Sequence, residues 1–110
     1  MKKVKIDTNN IHDWNSFHDE FQNKFGFPDF YGRNMDAWND YMTHLDDPED
    51  QLSQITIQKG DIVVLELHDV KTFKTRCPEQ YNALIDCAAF VNWRRVEKNK
   101  EPILTFSFYT

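Results

Sequence analysis

The segment Ile62-Val63-Val64-Leu65-Glu66-Leu67 is a nearly continuous apolar run in the middle of a 110-residue chain. Such a run predicts a β-strand, because Val and Ile pack well on a pleated surface. A strand without regularly alternating polar residues is typically covered on both faces, as the strands of parallel sheets usually are. The segment therefore predicts a buried strand of a parallel sheet.

Two more strands are predicted towards the ends of the chain. In residues 2–7, Val4 and Ile6 alternate with lysines, which is the pattern of a short half-buried strand. In residues 103–108, the run Ile-Leu-Thr-Phe-Ser-Phe follows Pro102. We expect three strands, separated by the helices described next.

Apolar residues recur at helical spacing between these strands. Asp13 is a good N-cap and Gly26 a good helix end, which predicts a first helix over residues 13–25. Asn34 can cap a second helix over residues 35–45, and Pro78 opens the longest one, which extends to residue 98 or 99. We expect the apolar stripes of these helices in the core, including Phe17, Phe21, Trp38, Met42, Tyr81 and Leu84.

The segment between the second helix and the middle strand is the hardest to interpret. Asp46-Asp47-Pro48-Glu49-Asp50 ends the helix, and Ile55-Thr56-Ile57 favours a short strand before a turn at Lys59-Gly60. The main elements follow the order β-α-α-β-α-β, which implies right-handed crossovers. The sequence predicts one α/β domain over residues 1–110, with a small three-stranded, mainly parallel sheet packed against helices.

Chain length and composition limit the kinds of protein that this sequence can encode. A chain of this size buries roughly two-thirds of its unfolded surface, which is enough for a core without metal or disulfide support. If Cys77 precedes a helix that contains Cys87, the two lie about 15 Å apart, and we expect free thiols and a cytoplasmic location. No long apolar segment, leader or metal-ligand spacing is recognisable, so we expect no membrane insertion, no metal and no cofactor.

Acidic residues are concentrated in one part of the chain. Residues 29–50 contain seven acids and one base, a net charge of −6, whereas the whole chain carries −5. Asp36 and Asp40 are four residues apart on the second helix and must face outward together. A like-charge pair at this spacing disfavours an isolated helix by roughly 0.2–0.5 kcal/mol, so it does not serve helix stability.

Two interpretations of this acidic face remain open from spacing alone. It is either ordinary solvated surface or a row of acceptor oxygens from Asp36, Asn39, Asp40 and Thr43, flanked by Phe30 and Tyr31. Such a row can imitate successive phosphates, because arginine binds carboxylate and phosphate with the same fork geometry. The second interpretation predicts a basic protein partner.

The stretch Pro28-Asp29-Phe30-Tyr31-Gly32-Arg33-Asn34-Met35-Asp36-Ala37-Trp38-Asn39-Asp40 resembles the barstar-like inhibitors of bacterial ribonucleases. It follows that family's pattern Tyr-Gly-x-Asn-hydrophobic-Asp-Ala with a second Asp. The similarity extends more loosely over the whole chain, as in a longer branch of the family. It implies a three-stranded parallel sheet and an intracellular protein that plugs a ribonuclease active site with the second helix and the loop before it.

The resemblance also implies roles for individual residues. Asp40 matches the carboxylate that enters the enzyme's phosphate site, and Asp36 its acidic neighbour. Phe30 stands in place of a stacking tyrosine, Asn39 in place of a contacting tryptophan and His44 in place of a glycine, which changes the footprint. Residues 94–98 are largely basic, so acidic contacts of the family's founding member are absent or rebuilt there. The predicted partner-binding residues are Phe30, Tyr31, Gly32, Asn34, Asp36, Asn39, Asp40, Thr43 and His44.

The resulting hypothesis is an intracellular inhibitor, not itself an enzyme, that binds a basic, secreted or delivered bacterial ribonuclease one-to-one. Such a protein would be monomeric when free and would act as an immunity protein for its producer. One alternative is a metal-dependent nuclease or other carboxylate-based enzyme that uses Asp36, Asp40 and residues 46–50. Others are an interaction module that has lost inhibition, and a nucleic-acid binder that uses the basic cluster around Arg94 and Arg95, although the net negative charge disfavours nucleic acid.

Overall fold

Three parallel strands form one sheet in the computed structural model, which describes residues 1–110. The strands are β1 (Lys2–Asp7), β2 (Val63–His68) and β3 (Leu104–Phe108), and β2 lies between the other two. Val4 pairs with Leu65, which in turn pairs with Phe106. The predicted three-stranded parallel sheet is confirmed.

Four helices accompany the sheet: α1 (Trp14–Phe25), α2 (Met35–Thr43), α3 (Val70–Arg76) and α4 (Pro78–Glu97). Helix α1 begins at a capping box in which the Asp13 carboxylate accepts the Ser16 backbone N–H at 2.8 Å. It ends at Gly26, whose φ of 68° is left-handed. A side chain at Gly26 would also meet Gln54 at 2.7 Å. Local cap chemistry thus sets both ends of α1.

Three details differ from the sequence-based prediction. Helix α2 ends at Thr43 instead of Leu45. Helix α3 was not predicted, because its seven residues are too few to show a long apolar stripe. The short strand predicted at residues 55–57 is wrong. The Ile57 N–H bonds to the Leu45 carbonyl at 3.0 Å, so this segment is tied to the end of α2 and adds no strand to the sheet.

The sheet buries one face. Alternate strand residues, such as Ile6, Leu65 and Leu104, join a single core cluster that also contains the apolar residues of the helices. On the opposite face Lys3 and Thr105 are exposed, and Val64 is buried but lies outside that cluster. The expectation that β2 is covered on both faces holds in part for this second face, where Val64 is buried and Glu66 and His68 are partly exposed.

The core otherwise follows the predicted stripes. Phe17, Phe21, Trp38, Met42 and Leu84 are fully buried, and Tyr81 packs against them from a partly buried position. Both cysteines are free thiols. None of the helices combines the length and apolar character that crossing a bilayer requires.

An aromatic cluster lies beneath the loop that joins α1 to α2. The Tyr31 ring is buried, 4.8 Å from Phe27 and 5.1 Å from Tyr41 between centroids, and its hydroxyl lies 2.7 Å from His18 Nδ1. Burial lowers the pKa of His18 to about 4, and the positive charge of Arg33 acts in the same direction. Burial raises the pKa of the Tyr31 hydroxyl. Both groups are neutral at pH 7, so the contact between them is a hydrogen bond between uncharged partners.

A buried ion pair joins the end of α4 to the segment after α2. Arg95 and Asp46 have only 3% and 8% of their side chains exposed, and Arg95 Nη2 lies 2.8 Å from Asp46 Oδ2. Arg95 also donates to the carbonyls of Thr43 and Glu101, each at 2.7 Å. Burial acts to raise the pKa of Asp46, but the hydrogen bonds and charge of Arg95 outweigh it and hold that pKa below its ordinary value. The pair is therefore ionised throughout the neutral range.

We expect Arg95→Ala to lower the free energy of unfolding, measured by urea denaturation, by about 3–5 kcal/mol, because it leaves Asp46 buried without a counter-charge. The double variant Arg95→Met/Asp46→Leu should recover most of this loss, since no isolated charge remains. A loss from Arg95→Ala of only about 1 kcal/mol, as exposed pairs give, would contradict the described role.

Stability should also fall on acidification through the titration range of His18. Between about pH 6.5 and 4 the unfolded chain binds a proton at this residue that the folded protein excludes, so the free energy of unfolding should drop by about 2 kcal/mol. His18→Gln should flatten this part of the pH profile, whereas His12→Gln, at an exposed site, should leave it unchanged. Urea denaturation at a series of pH values measures the effect, and identical profiles for wild type and His18→Gln would refute it.

Candidate protein-binding site

The start of α2 is fixed by a side-chain cap. The Asn34 side-chain oxygen accepts the Ala37 N–H at 2.8 Å, which confirms the predicted cap. A Cβ on the exposed Gly32 would approach the Ala37 Cβ to 3.3 Å, so glycine allows the loop to run close to the first turn. These two residues shape the entry into α2.

Arg33 is the one basic residue among the acids of residues 29–50, and the sequence pattern assigned it no role. Its guanidinium bonds to the side-chain oxygens of Gln22 at 2.7 Å, and of Asn15 and Asp19 at 2.8 Å each. All three belong to α1, so Arg33 fastens the loop to that helix. The single positive charge among so many acids was the only sequence signal for this anchor.

The two carboxylates of α2 lie on its exposed side. Asp36 is exposed and forms no ion pair. Asp40 keeps 62% of its side chain exposed, but one of its oxygens lies 3.1 Å from Arg94 Nη2. Both carboxylates remain accessible to a partner, and only Asp40 has a counter-charge within the protein.

Arg94 reaches α2 from the neighbouring helix α4. Its Nη2 also donates to Thr43 Oγ1 at 2.6 Å and to the Asn39 carbonyl at 3.3 Å, and its guanidinium lies 5.4 Å from the centre of the Phe90 ring. An exposed pair such as Arg94 and Asp40 contributes roughly 0–1 kcal/mol. A cation from a partner can therefore replace Arg94 at Asp40 at low cost.

The other polar residues predicted along α2 lie closer to α4. Asn39 is half-buried, and its side-chain oxygen has no hydrogen-bond partner that meets normal geometry. It lies beside the thiol of Cys87, whose pKa is raised by burial although an interaction with Asn39 acts to lower it. His44 follows the helix, and its Nδ1 donates to the Asp40 carbonyl at 2.8 Å. The predicted row therefore consists of two groups. The carboxylates of Asp36 and Asp40 face outward, whereas Asn39 and Thr43 lie along the seam between α2 and α4.

The two predicted aromatic residues of the loop are placed very differently. Phe30 has 75% of its surface exposed at the loop, whereas Tyr31 is only 3% exposed and supports the loop from the core. An exposed ring beside two carboxylates offers a partner both apolar contact and charge. No three His, Cys, Asp or Glu side chains in residues 1–110 converge as the ligands of a metal ion would.

Comparison with known proteins identifies the family of this chain. A relative from Bacillus subtilis (strain 168), named "Putative ribonuclease inhibitor YrdF", is 42% identical over 43 residues. That alignment covers 39% of this chain and 47% of YrdF, so it spans about half of the relative's length. The family model described as Barstar (barnase inhibitor) matches residues 1–107, almost the entire chain. The protein therefore belongs to the barstar family.

Proposed function

We propose that this protein inhibits a bacterial ribonuclease of the barnase type by covering its active site with α2 and the preceding loop. The family description names a barnase inhibitor, and the relative in Bacillus subtilis is named for ribonuclease inhibition. The observation that carries the proposal is the exposure of Asp36 and Asp40 on one side of a single helix, next to the exposed ring of Phe30.

The chemistry of the two carboxylates suits the active site of a ribonuclease. Residues four apart on a helix have Cβ atoms about 5–6 Å apart, so Asp36 and Asp40 can present two negative groups to neighbouring cations. A ribonuclease must hold the phosphates of its substrate with basic side chains, and arginine binds a carboxylate with the same two-pronged geometry. Occupation of those cations by carboxylates would exclude RNA.

Contacts within the protein hold the loop and the start of α2 in place. Asn34 caps α2, Arg33 fastens the loop to α1, and buried Tyr31 supports it from the core. Prior ordering of an interface reduces the conformational entropy lost on binding. We assign direct contact to Phe30, Asp36 and Asp40, and positioning roles to Tyr31, Gly32 and Asn34.

Asn39, Thr43 and His44 complete the proposed contact surface along the seam between α2 and α4. Thr43 Oγ1 and the Asn39 carbonyl both accept hydrogen bonds from the Arg94 guanidinium. They therefore hold the cation that a partner has to displace from Asp40. A standard interface of roughly 800 Å² per partner would reach from Phe30 to His44. Such a complex would be one-to-one, formed by a monomeric inhibitor in the cytoplasm, and it would make the protein an immunity factor for a cell that secretes or delivers the enzyme.

Titration of barnase activity against RNA tests the proposal. We expect stoichiometric inhibition by the wild type, and a loss of affinity of at least about 30-fold, or 2 kcal/mol, in Asp40→Asn, because the carboxylate that meets the phosphate site is neutralised. Asp69→Asn is the matched control, since it removes one charge at the start of α3 and asparagine tolerates the left-handed φ of 54°. We expect it to change affinity less than threefold.

Two outcomes would count against this assignment. Equal effects of Asp40→Asn and Asp69→Asn would remove α2 from the interface. Full barnase activity with the wild type in excess would contradict inhibition, and binding without loss of activity would indicate an interaction module instead.

Association should depend strongly on salt. Raising NaCl from about 0.05 M to about 0.5 M shortens the Debye length to a few ångströms, so the association rate with barnase should fall several-fold, with a smaller change in dissociation. Stopped-flow fluorescence measures both rates. The variant Asp36→Asn/Asp40→Asn should show a flatter salt dependence, and an unchanged slope would mean that other charges steer the encounter.

A further inference from the structure

A second charged feature lies directly beside Asp40. A cavity of about 210 Å³ opens between the end of α2 and the end of α4. Its lining is entirely polar or charged and includes Asp40, Thr43, His44, Arg94, Lys98 and Lys100. Arg95 also reaches its wall, but its charge is matched by Asp46.

The lining has unused capacity to bind an anion. Lys98 and Lys100 form no ion pair with any acid of the protein. All the side-chain hydrogen bonds of Arg94 are made by Nη2, so Nη1 and Nε have no partner, and 28% of the side chain is exposed. Asp40 is the one carboxylate of the lining. The cavity is therefore cationic, next to a helix face that is anionic.

We propose that this cationic pocket, formed by Arg94, Lys98 and Lys100, receives an acidic side chain of the partner protein. The inference rests on the proposed function and adds to it a requirement on the partner. A surface that binds this protein must present cations to Asp36 and Asp40 and a carboxylate to the pocket beside them. A uniformly basic surface would face repulsion from the two unpaired lysines.

A protein carboxylate fits this pocket better than a nucleic-acid phosphate. The volume corresponds to about seven waters at roughly 30 Å³ each, which is enough for one side chain. Asp40 lines the pocket, Asp36 lies one turn earlier on α2, and the chain carries −5 overall, so a polyanion would be repelled on approach. A basic protein surface that carries one acidic side chain would place cations against Asp36 and Asp40 and a carboxylate against the lysines of the pocket.

A purely structural role for the lysines makes a different prediction. Cations near the end of α4 also offset the negative end of its dipole, and in that case their loss would lower stability alone. For a uniformly basic partner, replacing lysines next to Asp40 with acids would strengthen binding. The sign of the change in affinity therefore separates these possibilities.

The test compares two double variants of equal net charge by isothermal titration with barnase. In Lys98→Glu/Lys100→Glu we expect affinity to fall by at least about tenfold, because a charge-assisted hydrogen bond is lost and like charges meet. Lys3→Glu/Lys71→Glu changes two exposed lysines of β1 and α3, and we expect affinity within threefold of wild type. Lys98→Gln/Lys100→Gln should lie between them, and melting temperatures establish that each variant is folded.

Unchanged or tighter binding of barnase by Lys98→Glu/Lys100→Glu would overturn the inference while leaving the proposed function intact. A filter assay with labelled single-stranded RNA covers the other anion: no retention by the free wild type is expected. Retention that Lys98→Glu/Lys100→Glu abolishes would show that the pocket takes phosphate, and would overturn it too. Failure of the wild type to bind barnase would contradict the proposed function and this inference together.

Discussion

Arg95 holds the acidic helix in position from the far end of α4. Its guanidinium binds both oxygens of Asp46, at 2.8 and 3.2 Å, and donates to the carbonyl of Thr43, the last residue of α2. Because the pair is almost completely buried, neither partner can be lost without leaving a charge in a site of low polarity. The orientation of α2, and with it the direction of its carboxylates, depends on this clamp.

The two consecutive arginines of α4, Arg94 and Arg95, have different roles. Arg95 is buried and structural, while Arg94 lies nearer the surface and pairs with the exposed carboxylate of Asp40. The exposed charges therefore change sign along this surface. Asp36 has no ion pair, Asp40 is paired with Arg94, and Lys98 and Lys100 beyond Arg94 have no ion pair. Alternation of charge at this scale favours selectivity, because a wrong partner meets a like charge somewhere along the row.

Most elements of the fold are predictable because their signals are local. Asp13, Gly26 and Asn34 mark helix ends within a few residues, and the apolar run at β2 identifies its own strand. The misses have equally physical causes: α3 has only seven residues, too few for a long apolar stripe, and the residues around Ile57 are held by backbone bonds to the ends of other elements. Arg94 and Arg95 are 54 and 49 residues from Asp40 and Asp46. Pairings at that separation leave no periodic signal, so the sequence indicates a basic cluster around Arg94 and Arg95 but not its contacts with α2.

We propose that the exposed side of α2 and its loop form the surface that meets a ribonuclease. Amide chemical shifts of the 15N-labelled protein, recorded with and without barnase, locate that surface directly. We predict that the changes concentrate at residues 30–44 and at the adjoining end of α4. Changes confined to the exposed face of the sheet, around Lys3, Lys5 and Thr105, would contradict it.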